Sequence, residues 1–153
     1  MFSASSKMND LIRADASLLL TMTRFGLPLG FGDKTVREAC QEKGIDSATF
    51  LAVVNFITQG LKPDAVPADN VVIGDLITYL KNAHRFFLEF KLPLIRRKLI
   101  EAIDDAVREE PYKQMILKFF DGYEREVRKH MDYENDTVFP YVLQLCQGSK
   151  DPR

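Results

Sequence analysis

The stretch HMDYENDTVFPYV, residues 130–142, decides how the second half of the chain is interpreted. It lies in a long segment where apolar side chains recur every three or four positions, the spacing that predicts an amphipathic helix. The stripe comprises Phe119, Tyr123, Val127, His130, Glu134, Val138 and Tyr141. His130 and Glu134 are one helical turn apart, so their Cβ atoms are expected about 5–6 Å from each other. A carboxylate on a face predicted to be buried requires a partner, because a buried charge without one is costly.

A second apolar stripe precedes this one, on a helix predicted from about residue 73 to residue 103. Its members are Ile77, Leu80, His84, Phe87, Leu88 and Ile95. The connection that follows is short and charged, and Pro111 then stands in the first turn of the next helix, where a proline is tolerated. That helix is predicted to continue to about Leu145. Two long helices with a short connection predict an antiparallel hairpin.

Two prolines fall inside these helical patterns, Pro93 in the first helix and Pro140 in the second. A proline ring removes a backbone donor and crowds the preceding turn of a helix. We therefore predict a kink at Pro93 and a bend in the last turns of the second helix.

The two histidines of the chain lie on the helix faces that should meet in the hairpin, His84 on the first and His130 on the second. A metal ion would satisfy this cluster, because it binds imidazole nitrogen and carboxylate oxygen directly and its charge keeps Glu134 ionised. Imidazole together with carboxylate suits iron, and also zinc or manganese. The spacing is also compatible with core histidines held by hydrogen bonds and a Glu134 that reaches water or a lysine, so this alternative stays open.

Residues 1–60 are predicted to form a small domain of several short helices. The stretch GLPLGFGDKT, 26–35, is rich in glycine and proline and predicts a turn between helices. The helix after it is expected to end near Gly44, and another is expected to start at Ser47.

The segment 61–72 contains two prolines and several charged residues and is predicted to be a linker. Residues 73–147 then form the helix hairpin, and 148–153 form a tail. The sequence therefore predicts an all-α chain with a small helical domain before a long hairpin.

The composition limits the cellular setting and the class of partner. The chain has 153 residues, a formal net charge of −1 and two cysteines without C-x-x-C spacing, so neither a disulfide framework nor a nucleic-acid surface is expected. No apolar run reaches the roughly 18 residues that a membrane span needs, and no signal-peptide pattern begins the chain. We therefore expect a cytoplasmic protein without a membrane partner.

The segments YLKNAHRFFLEFKLPLIRRKL (79–99) and FFDGYEREVRKHMDYENDTVFPYV (119–142) resemble the first half of a hemerythrin-like (HHE) domain. That family has one histidine on its first long helix, and H-x-x-x-E followed by a V/L-F-P-Y tail on its second. The resemblance covers about half of the chain. It implies that His84, His130 and Glu134 are ligands of non-haem iron, and that the protein senses or responds to O2, NO or redox stress. Further candidates for the surroundings of the site are Phe87, Tyr123 and Tyr133.

The stretch LLLTMTRFGLPLGFGDKTVREAC, 18–40, resembles the small helical domain that precedes HHE domains in the di-iron proteins of iron–sulfur cluster repair. Those proteins carry a Cys-Cys pair before the glycines, whereas Gly30 and Phe31 occupy that place here. The resemblance therefore does not extend to thiol chemistry in this domain, and iron–sulfur repair becomes a weaker expectation.

A complete HHE domain has four helices, so this hairpin provides half of a di-iron site. Two copies of the chain can form the bundle as a homodimer, with two irons shared between them and two glutamates able to bridge. Alternatively, the sequence is a piece of a longer protein that contains the other two helices, or each chain binds one iron. We favour the first two, because a hairpin alone buries too little to exclude water from a metal.

The competing interpretation is a metal-free helical regulator or protein-interaction domain, such as a truncated hemerythrin-like part of a transcriptional regulator. Residues 35–50 have the outline of a helix-turn-helix, but the second helix contains no Lys or Arg to contact phosphates and base edges. Direct nucleic-acid binding is therefore not expected. No P-loop or G-x-S-x-G motif is present, so no catalytic residues are predicted.

Overall fold

The computed structural model describes residues 1–60, 70–106 and 109–148. These residues contain helices and no β-strand, which confirms the all-α fold class. The chain divides into two compact units, Met1–Asn82 (the N-terminal unit) and Ala83–Arg153 (the hairpin unit). The division falls inside a helix, whereas the sequence suggests a linker at 61–72, of which residues 61–69 lie outside the described part.

In its described residues the N-terminal unit contains five α-helices, the last of which continues into the hairpin unit. They are α1 (Met8–Ala14), α2 (Leu18–Arg24), α3 (Val36–Lys43), α4 (Ser47–Gln59) and α5 (Ile73–Phe86). Their apolar faces enclose one core, in which Phe50 packs edge-on against Phe25. The buried members are Met8, Leu11, Leu18, Met22, Phe25, Leu27, Phe31, Val36, Ala39, Cys40, Phe50 and Val54.

The ends of α3 and α4 follow local sequence signals. The Thr35 hydroxyl accepts the Glu38 N–H at 3.3 Å, and the Glu38 carboxylate accepts the Thr35 N–H at 2.8 Å, so both free donors are satisfied. Gly44 ends α3 with φ of 65°, a left-handed conformation that glycine adopts without strain. The Asp46 carboxylate then caps α4, which begins at Ser47 as predicted.

The hairpin unit contains two long helical arms. After the end of α5, the first arm continues through the π-helical segment π1 (Phe87–Lys91) and α6 (Leu92–Ala106). The second arm comprises α7 (Glu110–Tyr133), the π-helical segment π2 (Glu134–Val138) and α8 (Phe139–Cys146). Side-chain pairs between the arms show that they run antiparallel. Asp104 pairs with Lys113 at 2.9 Å near the connection, and Arg96 pairs with Asp121 at 3.1 Å further along.

Each π-helical segment lies directly before a helix whose second residue is a proline, Pro93 in α6 and Pro140 in α8. Proline has no N–H to donate and clashes with the carbonyl one turn earlier in a regular helix. The backbone before each proline uses wider hydrogen bonds instead, from the Leu92 N–H to the Phe87 carbonyl and from the Phe139 N–H to the Glu134 carbonyl. The sequence predicted kinks at these prolines but not π-helical segments.

The core of the hairpin unit is small. Leu88, Leu92 and Phe120 are buried together, with Phe87, Leu99, Val127 and Met131 packed around them. The apolar stripe predicted for the second arm is largely exposed, because the first arm contacts a neighbouring face of α7. Its exposed members are Phe119, Tyr123, His130 and Tyr141, and Ile95 of the first arm is exposed as well. A single neighbouring helix does not cover a stripe as wide as about 100°.

Within the ranges described above, no helix is both long enough and apolar enough to cross a membrane.

Candidate metal centre

His84, near the end of α5, is the most enclosed of the three predicted ligands, and its side chain is 12% exposed. Its Nδ1 lies 3.0 Å from Oδ1 of Asn135, the second residue of π2. The ring stacks on Phe139, the first residue of α8, with centroids 5.7 Å apart and planes 23° from parallel. The imidazole is thus held both at its edge and on its face.

Glu134, the first residue of π2, joins the two histidines through its two carboxylate oxygens. Oε2 lies 3.3 Å from Nε2 of His84, and Oε1 lies 3.3 Å from Nε2 of His130. The Glu134 side chain is 31% exposed, so it faces both the hairpin interior and solvent. The structure therefore brings all three predicted ligands together, with one oxygen directed at each histidine.

His130, one turn before Glu134 on α7, differs from His84 in its surroundings. Its side chain is 68% exposed, which corrects the expectation that it lies on the buried side of the helix. The reason is that α7 turns Phe120 and Val127 toward the hairpin core, whereas His130 lies on the neighbouring exposed face.

The measured separations are compatible with metal ligation. Ligands that bind one cation at about 2.1 Å lie about 3.0–3.4 Å from each other at tetrahedral or octahedral angles. Both nitrogen–oxygen separations are 3.3 Å. Across the part of the chain that the structure describes, however, no group of three or more His, Cys, Asp or Glu side chains is arranged to hold a metal ion. The cluster is therefore two histidine–carboxylate pairs that share Glu134, not a closed three-ligand pocket.

The other predicted site residues lie in varied surroundings. Phe87 packs against the hairpin core, Tyr123 lies beside Phe120 with ring centroids 6.1 Å apart, and Tyr133 is exposed. Sequence reasoning missed two contacts of His84, those with Asn135 and Phe139. Phe139 belongs to the F-P-Y tail of the motif, so the sequence could have indicated that it lies near the site. Nothing in the local sequence pattern singled out Asn135.

Both cysteines are free and differ in environment, Cys40 being buried in the N-terminal unit and Cys146 exposed on α8. Burial, followed by the charges of Asp46 and Asp75, raises the pKa of the Cys40 thiol to about 12. Cys40 is therefore a protonated core residue at ordinary pH.

No family model matches the chain, and no match to it occurs among curated proteins or solved structures. The hemerythrin-like resemblance therefore rests on the sequence motif alone.

Proposed function

We propose that the chain is a hemerythrin-like protein that binds non-haem iron through His84, His130 and Glu134. The observation that carries the proposal is the meeting of both histidines on the two oxygens of one glutamate, from two different helical arms. The chain has only two histidines. A chance meeting of both on one carboxylate is less frequent in such a chain than in one with many histidines.

The arrangement of the carboxylate supports a centre with two cations. Oε2 of Glu134 faces His84 and Oε1 faces His130, so each carboxylate oxygen would be available to a separate cation together with one imidazole. Nitrogen and oxygen donors of this kind suit iron, and also zinc or manganese. Because the chain supplies only a few ligands, each cation would keep open coordination positions. A small gas molecule binds at such positions.

A second copy of the chain would complete the ligand shell. Five large apolar side chains of α7 are exposed: Tyr112, Met115, Phe119, Tyr123 and Tyr133. At about 100° per residue, all five point within about 60° of the direction of His130. The open side of the candidate centre and the uncovered apolar surface therefore share one face of α7, which we name the α7 face. A homodimer about a two-fold axis would cover it and contribute a second set of the three ligands.

The resemblance to hemerythrin-like domains supports a role in sensing O2 or NO, or in the response to redox stress. The contrast between the histidines fits such a role. His84 is enclosed, whereas His130 and the outer side of Glu134 are open to a small molecule arriving from solvent.

The deciding experiment is metal analysis combined with solution mass, on protein produced with added iron. We expect about one iron per chain, two in a dimer. His130→Ala and Glu134→Gln should lose the metal, and Glu101→Gln should retain it. Glu101 is a suitable control because it is an exposed carboxylate on α6, paired with Lys98. Wild-type protein without stoichiometric iron, or a His130→Ala variant that keeps it, would refute the proposal.

A second candidate is a metal-free helical regulator or interaction domain. The same 3.3 Å separations favour this candidate. A Glu134 carboxylate that lies between two imidazoles can accept a hydrogen bond from each, so it needs no metal as a partner. This candidate predicts that the wild-type chain is metal-free and that His130→Ala alters neither metal content nor solution mass.

A further inference from the structure

The His84 imidazole is contacted by three residues that lie within six positions of each other in π2 and α8. Nε2 faces Glu134, Nδ1 faces Asn135, and the ring face stacks on Phe139. Two consecutive residues, Glu134 and Asn135, thus engage the two nitrogens of one ring. In a regular α-helix consecutive side chains point about 100° apart, so a ring that reaches both must lie between them. Both residues belong to the π-helical segment, a kind of irregularity that is frequent at functional sites.

The shorter of the two contacts defines the role of each ring nitrogen. The 3.0 Å separation between Nδ1 and Asn135 Oδ1 is typical of an N–H···O hydrogen bond, whereas Nε2 lies 3.3 Å from Glu134 Oε2. An amide oxygen only accepts, so Nδ1 carries the proton of its contact with Asn135 Oδ1, and Nε2 is left facing Glu134, where its lone pair can bind a cation placed between the two groups.

We infer that Asn135 is a positioning residue that accepts the Nδ1–H of His84 and thereby holds Nε2 toward Glu134. The orientation of the ring follows from this contact alone. The role of Asn135 as the outer partner of a metal ligand rests on the proposed function. Metal-binding histidines generally donate their second ring N–H to such a partner, which sets the tautomer and the angle of the ring.

The role is specific to one of the two histidines. His84 is held by Asn135 and Phe139 and is nearly enclosed, whereas His130 is two-thirds exposed and its Nε2 faces the other oxygen of Glu134. A change at Asn135 should therefore affect His84 and leave His130 unaltered, which makes His130 an internal reference.

The first test is the ring tautomer of His84 in 15N-labelled, metal-free protein at a pH of about 8.5, where an ordinary imidazole is neutral. We expect wild-type His84 to be mainly protonated on Nδ1. Asn135→Leu and the smaller change Asn135→Ala should shift His84 toward the Nε2–H form, while Asn135→Asp, which keeps an acceptor, should preserve the wild-type pattern. Asp136→Ala, at an exposed position of the same segment, is the matched control and should change nothing.

The inference is overturned if wild-type His84 is mainly protonated on Nε2, or if removing the Asn135 amide leaves its tautomer unchanged. It is also overturned if Asp136→Ala shifts His84 as much. Unchanged helical content by circular dichroism reports that a variant has kept its fold.

The second test uses titration with Zn²⁺ and Fe²⁺. Asn135→Leu should weaken metal binding about 10–100-fold, as loss of an outer partner generally does, and Asn135→Asp should restore most of it. Unchanged affinity in Asn135→Leu would refute the role toward the metal. A wild-type chain that binds neither ion would refute the proposed function, whereas the tautomer measurement would still decide the orientation of His84.

Discussion

The two units of the chain differ in how far they bury their apolar residues. Among the described residues of the N-terminal unit, helices that approach from several sides bury twelve core residues together. In the hairpin unit, two arms cover one side of each other and bury three residues as a cluster, while Phe119 remains 79% exposed. A strongly amphipathic helix therefore does not by itself make a core, because an apolar face is buried only where enough neighbouring elements surround it.

The uncovered side of the hairpin unit also carries the candidate centre. The exposed apolar residues Tyr112, Met115 and Phe119 lie on the α7 face with His130. Contiguous exposed apolar patches on proteins generally mark interaction sites. The N-terminal unit, in contrast, has its reactive group, the Cys40 thiol, inside the core.

The largest expected difference between the units is in thiol reactivity. Cys146 is exposed and should react with an aromatic disulfide reagent at once, whereas Cys40 is buried and should react only when the N-terminal unit opens. If opening costs about 5 kcal/mol, the Cys40 rate is lower by more than about a thousandfold. The measurement is the time course of labelling, with each cysteine assigned by mass. Similar rates for both would show that the N-terminal core is open.

The raised pKa of Cys40 adds a pH dependence to that unit. The native thiol stays protonated up to about 12, while an unfolded thiol ionises at its ordinary value of about 8.5. The unfolded state therefore binds fewer protons in this interval, and the free energy of unfolding should fall as the pH rises through it. Cys40→Ala should remove this contribution and flatten the dependence, as measured by urea unfolding at several pH values.

A matched pair of phenylalanine variants probes the two packing regimes. Phe50→Ala, in the N-terminal core, should lower the free energy of unfolding by about 3–5 kcal/mol, because it removes a fully buried ring and leaves a cavity. Phe119→Ala should change the stability of the monomer by less than about 0.5 kcal/mol, because its ring is in solvent. Denaturant unfolding compares the two.

The Phe119 variant also tests the proposed second copy. If the α7 face forms a homodimer, Phe119→Ala should weaken association in sedimentation experiments while leaving the helical content unchanged. A wild-type chain that stays monomeric over the measured concentrations would contradict the dimer, and a dimer that Phe119→Ala leaves intact would place its interface elsewhere.

The smallest expected effect concerns helix ends. Thr35→Ala should destabilise the N-terminal unit by about 1 kcal/mol, since it removes the hydroxyl that accepts the Glu38 N–H. Thr137→Ala, at an exposed position of π2, is the matched change in the hairpin unit and should stay within about 0.5 kcal/mol. Equal losses in thermal unfolding would mean that the capping box contributes no more than an ordinary surface threonine.

Several features of the fold and the site were predictable because they depend on residues close together in sequence. Gly44 ends α3 because only a left-handed residue closes that turn without strain, and Ser47 begins α4 directly after its Asp46 cap. His130 and Glu134 are neighbours simply because they are one turn apart on a helix. Contacts of this kind follow from helical geometry and need no knowledge of the tertiary structure.

The surroundings of His84 could not be predicted in the same way. Its contact with Asn135 joins residues 51 positions apart and so depends on the register of the hairpin, and Asn135 lies in a π-helical segment that the sequence did not predict. The exposure of His130 depends on which face of α7 meets the first arm, a choice between neighbouring apolar stripes that periodicity does not make.

Local patterns in the sequence were enough to predict the all-α class, the points where several helices begin and end, and the three side chains that are candidates for a metal. These properties arise from backbone propensity, capping and spacing within a few residues. Three further features follow from tertiary packing: Glu134 offers one oxygen to each histidine, Asn135 contacts the His84 ring, and the α7 face stays uncovered. The physical reason is that these depend on the relative rotation and register of two helical arms, which are set by packing between residues distant in the chain.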